Sequence, residues 1–163
     1  MTKHRIERGC LYEDFDEGRV FEHHWGRTFT VQDALWYSNM TMQYNPIYFN
    51  DVYAKRLGYD GILINPLFVF TTALGLSVED LSEAGGPFLG VDDVAFGAPV
   101  YPGDTITARS VVLGRRTSAS RHGWGIVEWN TAAANQRGER VLEFRRRNLA
   151  RMRGAVHHHA STP

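Results

Sequence analysis

The sequence predicts an α+β domain in which an antiparallel β-sheet wraps one strongly apolar helix. Three observations carry this reading. Helix-capping signals are confined to roughly the first half of the chain, the segment from Pro66 to Leu81 is apolar nearly all round, and from Phe88 onward the hydrophobic period drops to two between turn residues.

Met1 to Arg27 is polar and charged with scattered aromatics, Tyr12, Phe15, Phe21 and Trp25, and reads as an arm that packs on the domain. Thr30-Val-Gln-Asp33 has the form of a capping box, with a hydroxyl able to satisfy an early helix amide and an acid in the first turn. A helix is expected from there to about Gln43. Asn45-Pro46 ends it, because the residue before proline is pushed out of the helical region and proline has no amide hydrogen. A second, short helix fits Asn50 as cap, Asp51 in the first turn, Lys55 and Arg56 in the last, and Gly58 as the stop.

The best-defined element has Asn65 as cap and Pro66 in the first helical position, and is expected to run to about Ser82 before Gly85-Gly86. Leu67, Phe70, Leu74, Val78 and Leu81 keep helical spacing, and Phe68, Val69 and Leu76 widen the apolar surface until burial is needed on most sides. Thr71, Thr72, Glu79 and Asp80, and a length near that of ~18 residues at 1.5 Å each, exclude a membrane span. Strands are expected over Thr105 to Leu113, Gly123 to Ala134 and Glu139 to Leu149, the last pair joined by Asn135-Gln-Arg-Gly138, with Pro102-Gly103 at the centre of a type II turn. Trp124 and Trp129 differ in parity, so at most one faces the central helix. Residues 1–154 are expected to form one domain, and 155–163, with His157, His158 and His159, a disordered tail.

Composition bounds the function. With 163 residues, 43% apolar and 22% charged, the chain can bury a single core without staples. Eighteen basic against eighteen acidic residues argue against a dedicated nucleic-acid binder. A lone Cys10 that cannot pair within the chain, no long apolar run and no leader pattern point to a reducing, cytoplasmic setting. The zero net charge hides a split: up to Leu113 there are 8 basic and 15 acidic residues, and beyond it 10 and 3. The halves either neutralise each other, within the fold or across a dimer, or include a phosphate clamp among Arg115, Arg116, Arg121 and Arg145 to Arg147. His4, His23, His24 and His122 show no ligand spacing backed by carboxylates or thiols, so no metal is expected.

Helix, Asn45-Pro46-Ile-Tyr48, buried helix, then Phe96-Gly-Ala-Pro-Val-Tyr-Pro-Gly-Asp104 and a strand meander together resemble the MaoC-like hydratases and dehydratases, nearest the branch of mesaconyl-CoA and itaconyl-CoA hydratases. The resemblance covers about Leu11 to Met152. It implies the hot-dog fold with Pro66 to Leu81 as the wrapped helix, and a homodimer or higher oligomer. It implies a hydro-lyase acting on an acyl thioester of coenzyme A or a carrier protein, the carrier being part of the substrate and no other cofactor being needed. In the family pattern D-x-N-P-x-H, Asp and His position and deprotonate water while amides at a helix N-terminus polarise the thioester carbonyl. At the matching positions this chain has Gln43, Asn45, Pro46 and Tyr48. Gln43 cannot ionise, and a phenol with an ordinary pKa near ~10 is no base at neutral pH, so altered chemistry is implied.

The candidate catalytic residues are therefore Gln43, Asn45 and Tyr48, with Asp92, Asp93 and His122 as substitute bases, since paired carboxylates can raise one pKa. The candidate substrate-binding residues are Ile64, Asn65 and Pro66 at the helix mouth, with Arg116 and Arg146 for coenzyme A phosphates. Two other outcomes stay open: an isomerase or cyclase acting on the same thioester class, and a non-catalytic subunit that completes a heterodimer. A ligand-binding module on the same fold is a third, since fold does not fix function.

Overall fold

The computed structural model describes residues 8–155, and the three tail histidines lie outside them. In chain order the elements are β1 (Val20–Glu22), β2 (Arg27–Thr28), α1 (Val31–Thr41), α2 (Asp51–Arg56), α3 (Pro66–Leu76), α4 (Val78–Leu81), β3 (Phe88–Phe96), β4 (Thr105–Thr117), β5 (Trp124–Asn135) and β6 (Arg140–Arg151). All strands form one antiparallel sheet in the order β1-β4-β5-β6-β3, with β2 also on the outer edge of β4. The expected α+β wrap is present: strands β4 to β6 alternate buried and outward residues, and the buried set closes over α3.

The capping signals act as read. Thr30 Oγ1 accepts from Asp33 N–H and the Asp33 carboxylate accepts from Thr30 N–H, closing the box at the start of α1. Asn50 Oδ1 accepts from Tyr53 N–H at α2, and Asn65 Oδ1 from Leu67 N–H at α3. The long helix is shorter than expected. It breaks at Ser77, whose hydroxyl donates to Leu74 O at 2.6 Å and competes with the next helical turn, so α4 starts as a separate element.

Two apolar clusters fill the interior. The first joins Val69 and Ala73 of α3 to Ile106, Ala108, Ala133, Leu142 and Phe144, with Phe70 edge-on to Phe144 at 4.9 Å. The second joins the arm residues Phe15 and Phe21 to Leu81, Val112, Val127 and Trp129, with Phe15 edge-on to Trp129 at 5.0 Å. The arm is thus more than packing: β1 pairs Val20 to Glu22 with Val111 to Arg109, and Tyr12 lies so close to Gly125 that a Cβ there would meet its ring at 2.1 Å. A buried relay also ties it down. His23 Nδ1 and Asp80 Oδ2 are 2.6 Å apart, His23 Nε2 and Ser110 Oγ 2.8 Å, and Ser110 shares a further bond with Thr131.

Pro102-Gly103 forms the expected turn, with Asp104 N–H donating to Tyr101 O and Gly103 at φ 96°. Asp104, 4% exposed, closes it: its carboxylate accepts from Tyr101 N–H, Gln136 Nε2 and Arg137 Nη1, stapling this turn to the β5–β6 hairpin. Partial burial alone would raise this carboxyl, but the Arg137, Tyr101 and Gln136 donors outweigh it and hold it below the usual carboxylate range. Asp104 contributes stability that is full above the ordinary carboxylate pKa and is lost as pH falls through the lowered native value. Asp104→Asn should therefore cost about 1–3 kcal/mol near pH 7 in urea unfolding, with the gap to wild type closing in acid. An equal gap at pH 7 and pH 3 would reject this role.

Candidate active site

The stretch from Gln43 to Tyr48 is set by how α1 ends. Met42 adopts the left-handed conformation at φ 55°, which turns the chain so that Gln43 N–H donates to Ser38 O. Asn45 Oδ1 then accepts from Ile47 N–H and caps a single 3₁₀ turn, Pro46 to Tyr48. This turn docks by its backbone: Ile47 O accepts from Leu63 N–H at 3.0 Å, and the next residue, Ile64, donates to Val100 O at 2.8 Å. Asn65 and α3 follow directly. The motif loop, the Pro-Val-Tyr-Pro segment and the mouth of the buried helix are thereby held together by main-chain bonds, which side-chain substitution leaves in place.

At the mouth the first-turn donors are mostly spent. Pro66 has no N–H, Leu67 donates to Asn65 Oδ1, and Phe68 and Val69 both donate to Asn65 O. The Ile64 amide, expected to face the substrate, is taken by Val100. Among the described residues nothing accepts from Asn65 N–H or from its Nδ2 group, so Asn65, 3% exposed, is the residue that retains free donors here. Tyr48 is half-buried, and burial, followed by its neighbour Tyr59, raises the phenol above its ordinary value, which fixes it as a neutral donor at physiological pH. Gln43 and Asn45 are exposed. A groove of about 360 Å³ runs along one flank of α3, lined by Arg27, Phe68, Thr71, Thr72, Gly75 and Leu76. On the opposite flank Phe70 faces β6.

The other candidates lie elsewhere. Asp92 and Asp93 sit in mid-strand on the sheet-edge strand β3, Asp93 at φ 51° where the register with β6 shifts. Each pairs with an arginine of β6, Asp92 with Arg147 at 2.6 Å and Asp93 with Arg145, so the two carboxylates are separately neutralised rather than sharing a proton. His122 is exposed in the β4–β5 turn. Arg116 lines an outer-face hollow with Arg115, Ile126, Glu128 and Arg147. It lies eleven residues along β4 from Thr105, roughly 35 Å of strand, too far for a phosphate clamp serving this chain's own helix mouth. Arg146 is inside the protein, 1% exposed, and cannot reach a phosphate at the surface. Among the described residues no group of three or more His, Cys, Asp or Glu could hold a metal, and no helix is long and apolar enough to cross a membrane. No local signal marks the Asp104 staple, Tyr59 beside Tyr48 or the His23 relay, because each joins residues of different elements that only the fold brings together.

Residues 2–161 match the family model described as mesaconyl-CoA hydratase. The mesaconyl-CoA hydratase of Haloarcula hispanica is 34% identical over 144 residues, covering 88% of this chain and 40% of that protein. The β-methylmalyl-CoA dehydratase of Chloroflexus aurantiacus is 33% identical over 145 residues, covering 89% and 41%. A crystal structure of a MaoC-domain dehydratase from Chloroflexus aurantiacus superposes with a TM-score of 0.85 at 31% identity, over 93% of this chain and 43% of that one. A Mycobacterium tuberculosis protein described as a double hot-dog superposes at 0.79 and 20% identity over 46% of its length, a likeness of fold. The chain spans about two fifths of the length of the curated relatives it matches. Its wrapped helix, its docked Asn-Pro loop and these likenesses place it in the mesaconyl-CoA hydratase family of MaoC-like hot-dog proteins.

Proposed function

We propose that the chain is an acyl-thioester hydro-lyase of the enoyl-CoA hydratase or dehydratase kind, working on a coenzyme A or carrier-protein thioester, in which the motif loop acts by hydrogen bonding rather than by proton abstraction. The observation that carries this is the Ile47–Leu63 backbone bond, which seats the end of the Gln43 to Tyr48 loop against the segment leading into α3. There the Asn65 donors would take the thioester carbonyl oxygen as it gains negative charge, aided by the positive end of the helix. Addition joins the water oxygen to the β-carbon and a proton to the α-carbon; elimination is the reverse. Gln43 Oε1 can accept from the water, and neutral Tyr48 can donate to it or to the hydroxyl that leaves.

Neither residue can take the proton outright, and this favours a second reading. The chain exposes Trp36, Met40, Val52 and Leu57 on α1 and α2 and just beyond, and Phe88, Leu89, Val94 and Phe96 on the sheet-edge strand β3. Such a surface suits pairing with a second hot-dog unit, a copy or a companion chain, and a companion that keeps the Asp and His would supply the base. Sedimentation velocity reads the size of the assembly, with a dimer expected and a persistent monomer against it.

Turnover of a panel of enoyl and hydroxyacyl thioesters tests the activity. Tyr48→Phe should lower kcat about 10²-fold or more if the hydroxyl takes part in proton transfer. With the phenol raised, no loss of rate below about pH 10 should trace to its ionisation, and unchanged kcat in the variant returns Tyr48 to packing. Asn65→Asp keeps the cap oxygen but removes the Nδ2 donors, so the melting temperature should hold while kcat drops about 10-fold to 10³-fold; equal activity would reject Asn65 as the carbonyl donor.

A further inference from the structure

Within the chain, α3 is covered on one flank. Val69 and Ala73 are buried against the sheet, while Leu67, Thr71 and Gly75, each about one helical turn from the next, face outward. Beside that ridge runs the groove of about 360 Å³, closed on its far side by Arg27 of β2. Its helix residues Phe68, Thr71, Thr72, Gly75 and Leu76 keep the spacing of a single helix face, so the groove follows α3 for about 12 Å. It begins one turn from Asn65, which retains free donors at the mouth.

Two features of the groove exceed what the fold needs. Gly75 lies in the last turn of α3, where glycine is a poor helix former, yet its φ is outside the left-handed region and an added Cβ would meet nothing within 4 Å. Neither the backbone nor a neighbouring atom asks for glycine there; what the missing side chain does is keep the groove open. Arg27 is the second feature. Its Nη2 donates to Asp33 Oδ1 at 2.6 Å, and its guanidinium carbon lies 5.5 Å from the Phe68 ring centre and 5.7 Å from that of Phe29, so the fork is fixed in place. Among the described residues nothing accepts from its Nε or Nη1, and the side chain is 42% exposed. Thr71 Oγ1 donates to Phe68 O, whereas the Thr72 hydroxyl has no partner among the described residues.

A plain alkyl chain in this groove would cover the Arg27 and Thr72 donors without meeting them. The carrier arm of a thioester suits the groove better, because it alternates amides with pairs of methylenes. Its sulfur and two amide carbonyls follow one another at four-bond intervals, about 5 Å at the extended-chain rate of roughly 3.5 Å per three bonds, close to the helical pitch of about 5.4 Å. With the sulfur at Asn65, the first amide falls over Phe68 beside the Arg27 fork and the second falls beside Thr72. The hydroxy-acid end, which carries two methyl groups on one carbon, then reaches the room left by Gly75.

Resting on the acyl-thioester reading above, we propose that the groove between α3 and Arg27 seats the pantetheine arm of the substrate. Arg27 donates to the first amide carbonyl, Thr72 to the second, and Gly75 makes space for the dimethyl end. The arm, which coenzyme A and carrier proteins share, therefore lies on the outer flank of α3.

The test is a set of dissociation constants from NMR titration with butyryl-CoA, butyryl-pantetheine and butyryl-N-acetylcysteamine. These saturated thioesters share the acyl group and need no turnover, and the last keeps only the first amide of the arm. Gly75→Leu should weaken the first two at least about 10-fold and leave the third within about threefold, with the melting temperature held or raised because leucine is the better helix former. Arg27→Met should weaken all three by about 10-fold or more, since each carries the first amide. Tighter wild-type binding of butyryl-CoA than of butyryl-pantetheine marks coenzyme A as the source of the arm and equal binding marks a carrier protein; in both cases Gly75→Leu must weaken the two alike. An equal loss for all three in Gly75→Leu puts the acyl chain in the groove and overturns the assignment. So does no loss for any of them, including the case in which Gly75→Leu changes only the sedimentation of the assembly and the groove packs a second chain. Those results leave the acyl-thioester reading standing, whereas wild type that binds none of the three removes that reading and this inference together.

Discussion

Covering the apolar helix α3 is the constraint from which the rest follows, and within the chain the sheet buries one flank of it, at Val69 and Ala73, while Leu67 stays 48% exposed and the sequence expectation of burial on most sides is not met. Its segment is apolar on nearly every side, so one layer of neighbours cannot satisfy it, and the cheapest enclosure is a sheet curved around it. Val69 and Ala73 are buried against β4, β5 and β6, and Phe70 meets Phe144. Enclosure also forces polarity on the site. A helix held lengthwise in a sheet exposes its ends, and the end carrying Asn65-Pro66 is where the motif loop and the Pro-Val-Tyr-Pro segment are drawn in by the Ile47–Leu63 and Ile64–Val100 bonds. The Asp104 staple secures the same region from below.

The arginines of β6 show how strand geometry divides one charge run into unlike roles. Arg145, Arg146 and Arg147 are consecutive, yet the alternation of a strand sends the outer two to carboxylates of β3 and the middle one inward. The charge split between the halves of the chain is thus neutralised in part within the fold: acidic Asp14, Asp16, Asp92, Asp93 and Asp104 from the early half meet Arg153, Arg115, Arg147, Arg145 and Arg137 from the late half. These pairs are mostly exposed and individually weak; their use is in fixing which strand edge meets which. Arg146 is the exception, since an interior charge has no water to fall back on.

On the proposed reading, the motif loop carries Gln43 and Tyr48 where the family pattern has an ionisable Asp and His. Asn45 and Pro46 keep the turn, because the turn is made by a cap and by backbone bonds that any side chain at the neighbouring positions allows. Gln43 and Tyr48 keep hydrogen-bonding capacity while giving up charge. The proposed roles for such a loop are a reaction steered by neutral donors and acceptors or a half-site that borrows a base, and the exposed apolar surface of α1, α2 and β3 gives the second a physical means.

The sequence by itself determined the elements whose signals are local: the capping box at Thr30, the caps at Asn50 and Asn65, the turn at Pro102-Gly103, and the strand periods of β4 to β6. It also determined the motif and hence the family, because the Asn-Pro turn and the Pro-Val-Tyr-Pro-Gly-Asp segment are contiguous. Contacts between distant residues were decided only by the tertiary structure. The break at Ser77 depends on a hydroxyl choosing one carbonyl over the next turn, and the incorporation of the arm into the sheet depends on the free edge of β4. The removal of Arg116 and Arg146 from a surface clamp, and the pairing of Asp92 and Asp93 with separate arginines, depend on which face of which strand each residue occupies once registers are set. Local pattern reports what a residue does to its own backbone; which charge meets which, and which donors stay free at the mouth of α3, is settled by how the sheet and the loops pack against one flank of that apolar helix.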